Sequence, residues 1–449
     1  MKTIKSINGG IVCIFMLLAA SFMTSCDRTQ DTPEVKSAAM KVNVSLAPEY
    51  AKAPLGKVTI VLRNVSTGKE STATSEKGLP VEFKQLPVDI YDITATYSMS
   101  NEDYKNITGQ DANKNTVLFS ASQSGMQLEP GKIKEIDLVL STSTTENFVF
   151  KTLYYGGSDS KKAAGDYDQF FEIYNNSNKT LYADSLCIAI TTMSRYGNGH
   201  PTQDKRYYYT EDGRYDWSKA EGMTVGEKAN SDYYYASMLF MIPGNGKAYP
   251  VKPGESLVIA RFATNFKSKF TNIRGIVVEV ASPELTVDLS KADFEGAYER
   301  TKALTNPNVP DLILIHKGNN TSMRLSSNGK EGYVLFRHPS PSQLPIFVYP
   351  AIDPKRGSKS QFIQIPNANL IDAVEVISPT SEGYVSPKAI QKKDDAGYAY
   401  VKEGEYTSLA LTRKISRMDG NRRVLQDINN SGVDFVTIKA EPRAFAPAK

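Results

Sequence analysis

The sequence predicts an all-β protein built from two antiparallel β-sandwiches in tandem, and three observations predict it. Apolar residues alternate with polar ones at period two through much of the chain after residue 40, as half-buried strands require. Turn residues such as Ser66-Thr67-Gly68, Lys77-Gly78 and Pro130-Gly131 interrupt these runs at short intervals. A Ser/Thr run, Ser141 to Thr145, parts a first region of about 100 residues, the size of one sandwich, from a longer second one.

The chain opens differently. Lys2 and Lys5, the apolar run Ile11 to Ala20 and the small residues after it make residues 1–25 an export signal. The run is too short to span a bilayer, which takes about 20 apolar residues. Met23-Thr24-Ser25-Cys26 resembles the lipobox of bacterial lipoproteins, which implies cleavage before Cys26, acylation of its thiol and the membrane as a partner through that anchor. Residues 26–39, polar and without hydrophobic period, read as a flexible tether. Within them Asp27, Asp31 and Glu34 resemble the acidic surface-export signal of Bacteroidetes lipoproteins, which implies an outer-membrane, outward-facing location.

Residues 40–141 form the first expected sandwich. Met40, Val42, Val44 and Leu46 alternate with polar residues, and so do Val58, Ile60 and Leu62, then Ile93, Ala95 and Tyr97, then Ile136, Leu138 and Leu140. Phe83-Lys84-Gln85-Leu86-Pro87 followed by Tyr91-Asp92-Ile93 resembles the transthyretin-like and Cna-B-like modules of surface proteins, although Val88-Asp89 replaces the usual turn glycine. That resemblance implies a stalk or spacer role.

Residues 148–449 form the second. Phe170-Phe171-Glu172-Ile173-Tyr174-Asn175-Asn176 running into Leu181-Tyr182 resembles the lamin-tail domain, an immunoglobulin-like sandwich. Pro253-Gly254-Glu255-Ser256-Leu257-Val258-Ile259, Asn328-Gly329, Ile371-Asp372-Ala373-Val374 and Asp427 to Phe435 resemble its later strands and turns, in order. Long insertions fall at about 192–250 and 263–310. The arrangement also resembles an uncharacterised family of Bacteroidetes lipoproteins with a lamin-tail-like region. Taken by themselves, Phe171, Ile173, Leu186, Ile188 and Ile190 alternate as two antiparallel strands, with Asn175-Asn176 able to take a left-handed turn conformation. Asp434 is placed to bind the backbone amides of the loop holding Asn429 and Asn430.

Chemistry is harder to find. Cys13 lies in the signal and Cys26 is acylated, so Cys187 in Leu186-Cys187-Ile188-Ala189-Ile190 remains alone and reads as a buried small hydrophobe. Histidines 200, 316 and 338 stand in no metal-binding spacing, and Asp311 to His316 reads as a buried strand. Net charge is +4 and its basic pairs are scattered, which argues against nucleic acid as a partner. No phosphate loop, nucleophile elbow or zinc-protease helix occurs, so no catalytic residue, metal or cofactor is expected. Carboxylate pairs of the glycosidase kind leave no local signature.

The insertion at about 192–250 carries the ligand expectation. It concentrates Tyr196, Tyr207-Tyr208-Tyr209, Tyr215, the only tryptophan, Trp217, and Tyr233-Tyr234-Tyr235, interleaved with Asp204, Lys205, Arg206, Glu211 and Asp216. Aromatic faces with polar tips suit sugar rings and partner surfaces. Tyr208, Tyr215, Trp217 and Tyr234 are the expected ligand-binding residues, while alternate members of each triplet are expected to pack inward. The functional expectation is a non-catalytic cell-envelope lipoprotein that binds or docks a glycan, a peptide or an outer-membrane transporter. The alternatives are a polysaccharide hydrolase or lyase with acids in the insertions, and a structural spacer.

Overall fold

The computed structural model describes residues 37–47, 50–109, 116–142, 147–193, 204–296, 304–381, 383 and 385–447. The expected export signal, Cys26, most of the expected tether, Tyr196 and His200 lie outside the described residues. What is described is all-β, arranged as sandwiches.

In the first, β1 (Ala38–Leu46), β2 (Lys57–Asn64), β3 (Glu70–Glu76), β4 (Val81–Leu86), β5 (Ile90–Ser100), β6 (Thr116–Gln127) and β7 (Ile133–Thr142) pair in the order β3-β2-β5-β6-β7-β1-β4. β1 and β7 run parallel, Ala39 facing Ile133 and Leu46 facing Leu140, and the remaining pairs are antiparallel. Only the end of β7 pairs with β6, so β7 crosses from one layer to the other. The period-two residues enter one core as expected, Val42, Ile60, Ile93 and Leu138 among them. Each such side chain contributes about 1.5–3 kcal/mol of burial.

The second region stacks two sheets. One joins β8 (Phe148–Tyr154), β9 (Phe170–Asn175), β12 (Ser256–Ala260), β13 (Phe294–Glu295), β19 (Leu409–Arg413) and β20 (Phe435–Lys439), in the order β13-β12-β9-β8-β19-β20. The other joins β10 (Cys187–Thr191), β11 (Tyr233–Met241), β15 (Lys330–Phe336), β16 (Ile346–Val348), β17 (Gln361–Pro366) and β18 (Leu370–Ile377), in the order β16-β17-β11-β10-β15-β18, with β14 (Ile313–His316) beside β11. Phe150, Phe171 and Ile259 of the one meet Ile188, Phe240 and Leu335 of the other. Both outer faces are covered as well, by clusters around Phe262 and Phe266 and around Leu239 and Phe336. With no wet face, central strands such as β9 and β10 are buried along their whole length, while the edge strands β16 and β20 keep exposed residues.

Several expectations are corrected here. The strands holding Phe171 and Ile188 do not pair with each other; they belong to opposite sheets and meet across the core. Period two sets which face a residue takes but leaves open whether the next strand lies beside it or opposite it. Asn175 and Asn176 are buried and keep negative φ. Asn175 works through its side chain, accepting from the Ser177 amide (3.0 Å) and donating to Val251 O (2.7 Å). β14 is only partly covered, Ile313 being 40 % exposed, while His316 is buried and bonds Gln361 O at 3.1 Å. Finally, the stretch 233–241, expected within an insertion, is β11, bonded between β10 and β17. Cys187 is a buried free thiol, which burial pushes up to about 12.

Candidate functional site

The aromatic segment folds onto the front of the second sheet, where the first sheet does not reach. A register shift in β11 near Ser237 changes the phase of its side chains, so Tyr234 and Ala236 pack on one face with Leu239 while Tyr235 faces the other way. Trp217 stacks flat on Tyr235, centroids 3.9 Å apart at 9°, and meets Phe362 edge-on at 5.4 Å. Tyr215 packs against Tyr349 at 4.6 Å and Tyr207 at 5.6 Å. Asp216 Oδ1 ties the turn by accepting from Ser218 N (3.1 Å) and Asn230 Nδ2 (2.7 Å).

Of the four residues expected to meet ligand, this leaves one outside. Tyr215, Trp217 and Tyr234 are 3 %, 9 % and 2 % exposed, and the Tyr234 hydroxyl donates to Asp394. Tyr215 and Trp217 form the segment's own core with Tyr207, Tyr235 and Tyr349, because a stretch this rich in rings can hide them only against each other, while Tyr234 packs on the opposite face of β11 with Cys187, Ala189 and Leu239. In the first triplet Tyr207 is buried and Tyr208 is 39 % exposed, as alternation requires. Tyr208 lines a pocket of about 210 Å³ with Tyr349, Lys219 and Lys359.

Tyr349 also lines a larger neighbour, a cleft of about 720 Å³. Its walls are polar: Asn319, Asn320 and Asn328, with Ser326, Ser360 and Gln361. Asn319 Nδ2 donates to Ser360 Oγ (3.2 Å), and Ser326 Oγ donates to Asn328 Oδ1 (2.7 Å). Arg206 grips both oxygens of Asp204, Nε donating to Oδ1 at 2.9 Å and to Oδ2 at 3.0 Å and Nη2 to Oδ2 at 2.5 Å, fixing one end. At the other, Glu331 Oε2 accepts from Ser326 N (2.7 Å) and Tyr333 Oη (3.2 Å), and burial pushes its carboxyl up to about 7. Sequence reasoning had only Asp204 and Arg206 of this set. The asparagines and serines sit in stretches that read as plain turns, and 204, 319–331 and 360–361 are too far apart to suggest a common wall.

Other buried charges hold loops. Arg413 donates to both oxygens of Asp372 (2.8 and 2.9 Å) and reaches Asp427 (3.1 Å) and Asp434 (3.3 Å). Asp434 Oδ2 also accepts from Ile428 N (3.1 Å) and Asn430 N (3.3 Å), the loop-binding role read from the sequence. Burial raises Asp372 and Asp434 despite Arg413. Among the described residues no group of three or more His, Cys, Asp or Glu is arranged to hold a metal ion.

Residues 252–442 match the model of a family described as a protein of unknown function, DUF4876. The crystal structure of a DUF4876 family protein from Bacteroides thetaiotaomicron is similar in fold, with a TM-score of 0.52 at 22 % identity, covering 92 % of this chain and 96 % of that one. A Bacteroides uniformis protein provisionally described as carbohydrate binding aligns over 50 % of this chain and 99 % of its own at 10 % identity, and its TM-score of 0.16 carries no argument. Comparison with curated proteins gives no match.

Proposed function

We propose that this chain is an exported, lipid-anchored protein of the outer membrane that binds a glycan, without catalysis, in the polar cleft beside Tyr208. One observation carries the ligand class: the cleft wall is built from side-chain amides and hydroxyls already oriented by their own hydrogen bonds. Sugars present hydroxyls that both donate and accept, and amide side chains can answer both roles at once. Pre-orientation lowers the entropy lost on binding. The volume lies within the roughly 300–1,000 Å³ of small-molecule sites.

The anchor rests on Met23 to Cys26 and the acidic residues after it. The finer kinship, a lamin-tail-like second sandwich behind a Cna-B-like first, rests on sequence resemblance. Detergent phase partition of a Cys26→Ala variant tests the anchor, which requires the variant to become aqueous. For the ligand, a glycan array should give hits with the wild type that Asn328→Ala and Tyr208→Ala lose at unchanged melting temperature. Hits retained by both variants would place the site elsewhere.

A second reading has one observation in its favour. Glu331 holds its proton to about pH 7, the state a general acid needs in glycoside cleavage. Its partner would have to be Asp204, which Arg206 already occupies. Release of reducing ends by the wild type but not by Glu331→Gln would replace binding with hydrolysis.

A further inference from the structure

Where the two sandwiches meet lies a second cleft, of about 670 Å³, that the proposed function does not use. Its floor is apolar, with Leu411 and Phe435. On one wall Tyr398 and Tyr400 point the same way, because Ala399 between them turns into the core and pairs with Val376. Their rings lie 6.3 Å apart at 28°, half-buried, and make one nearly flat strip along the cleft. The first sandwich supplies the opposite wall with Arg63, Ile90 and Asp92. Both polar groups there are held in place: Arg63 donates to Gly432 O (3.4 Å), and Asp92 accepts from Gly125 N (3.0 Å). Lys402 and Glu403 stand at the rim, exposed.

An aromatic strip facing paired donors and acceptors fits a sugar ring, whose flat C–H faces pack on the rings while its edge hydroxyls reach the charged groups. The two clefts come within one residue of each other along the chain, since Val385 lines this one and the next residue, Ser386, lines the polar one. We infer that the cleft between the sandwiches is a second sugar subsite, and that the two clefts hold consecutive stretches of one polysaccharide chain. This rests on the glycan reading of the polar cleft and narrows it from sugars in general to a polymer. It also makes the first sandwich half of a binding site, where its resemblance to spacer modules implies only reach.

Two subsites on one ligand act through effective concentration, so a polymer that spans both binds about a hundredfold or more tighter than a fragment that fills one. The test uses the full-length protein and a panel of starch, xylan, polygalacturonate and chondroitin sulfate, each with short oligosaccharides cut from it, by calorimetric titration. The wild type should bind one of these polymers far more tightly than its fragments. Tyr400→Ala and Arg63→Ala should remove most of that gain and leave fragment binding within about twofold, whereas Asn328→Ala should weaken both. Arg63 is only half-buried, so its variant serves if Tyr400→Ala lowers the melting temperature. A wild type that binds fragments and polymer alike, or variants that keep the full gain, would overturn the inference while the glycan reading stands. A panel without any binder would overturn both.

Discussion

The first sandwich buries almost nothing polar, Asn64, Ser75, Thr94 and Ser120 among its described residues, while the second hides Lys151, Glu172, Glu295, Glu375, Arg413 and several aspartates. Layer count explains the contrast. In the first, each strand keeps a wet face where charges such as Lys41 and Glu135 pair in the open, 2.8 Å apart. In the second, both faces of both sheets are covered, so loops that cross the interior must be tied by groups inside it. Glu295 accepts from Ala263 N and Asn306 N, and Glu375 from Ala389 N and Ile390 N. Covering a sheet twice thus moves part of its stability from packing to buried hydrogen bonds and ion pairs.

The sharpest way to break that contrast is Arg413→Met, which strands three buried aspartates. Removing one partner of a buried charge cluster costs about 3–5 kcal/mol. Ile60→Val in the first core should cost about 0.5–1.5 kcal/mol. Urea unfolding would measure both, and an Arg413→Met loss no larger than that of Ile60→Val would mean the buried charges are incidental.

The aromatic segment offers a comparison inside the second region. Trp217→Ala should destabilise by about 3 kcal/mol, because it empties the segment's core. Tyr208→Ala, one strip of surface away, should stay within about 0.5 kcal/mol. Equal melting losses for the two would put Tyr208 in the core and remove it from the binding surface.

The pH response should differ in sign between the two regions. Burial raises Asp168 to about 6 and Glu295 and Glu331 to about 7, from ordinary values near 4. A folded state that holds protons more tightly than the unfolded chain gains stability that is complete below about pH 4 and is lost as pH climbs through 6 to 7. Every tenfold tightening of proton binding is worth about 1.4 kcal/mol, and less where water screens the group. In the first sandwich Lys132 lowers Glu129, Lys41 lowers Glu135 and Ser66 lowers Asp89, so their small contribution is present above about pH 4 and lost below it. Hydrogen exchange between pH 4 and 7, corrected for intrinsic rates and read by region, should show protection falling in the second sandwich and holding or rising in the first. Parallel trends would mean the two regions open as one unit.

Much was written locally in the chain. Alternation along Met40, Val42 and Val44 depends only on neighbours two apart, so the first core could be read directly, and so could the burial of Cys187 among Leu186, Ile188 and Ala189. The amide-binding of Asp434 is also local, since its partners lie four and six residues away. What lay beyond reach depended on partners distant in sequence. Phe171 and Ile188 face each other across a core because β8 and β12, not β10, flank β9. Trp217 went inside because Tyr235, Tyr349 and Phe362 were waiting as partners, and a ring's own chemistry suits a core and a ligand surface equally well. The walls of the polar cleft come from segments up to about 190 residues apart, and those of the cleft between the sandwiches from segments up to about 370 apart, joined only when the sheets stack. A sequence sets the period and polarity of each strand through its own neighbours, but which surfaces end up open is decided by what covers them, and that is a property of the packed chain alone.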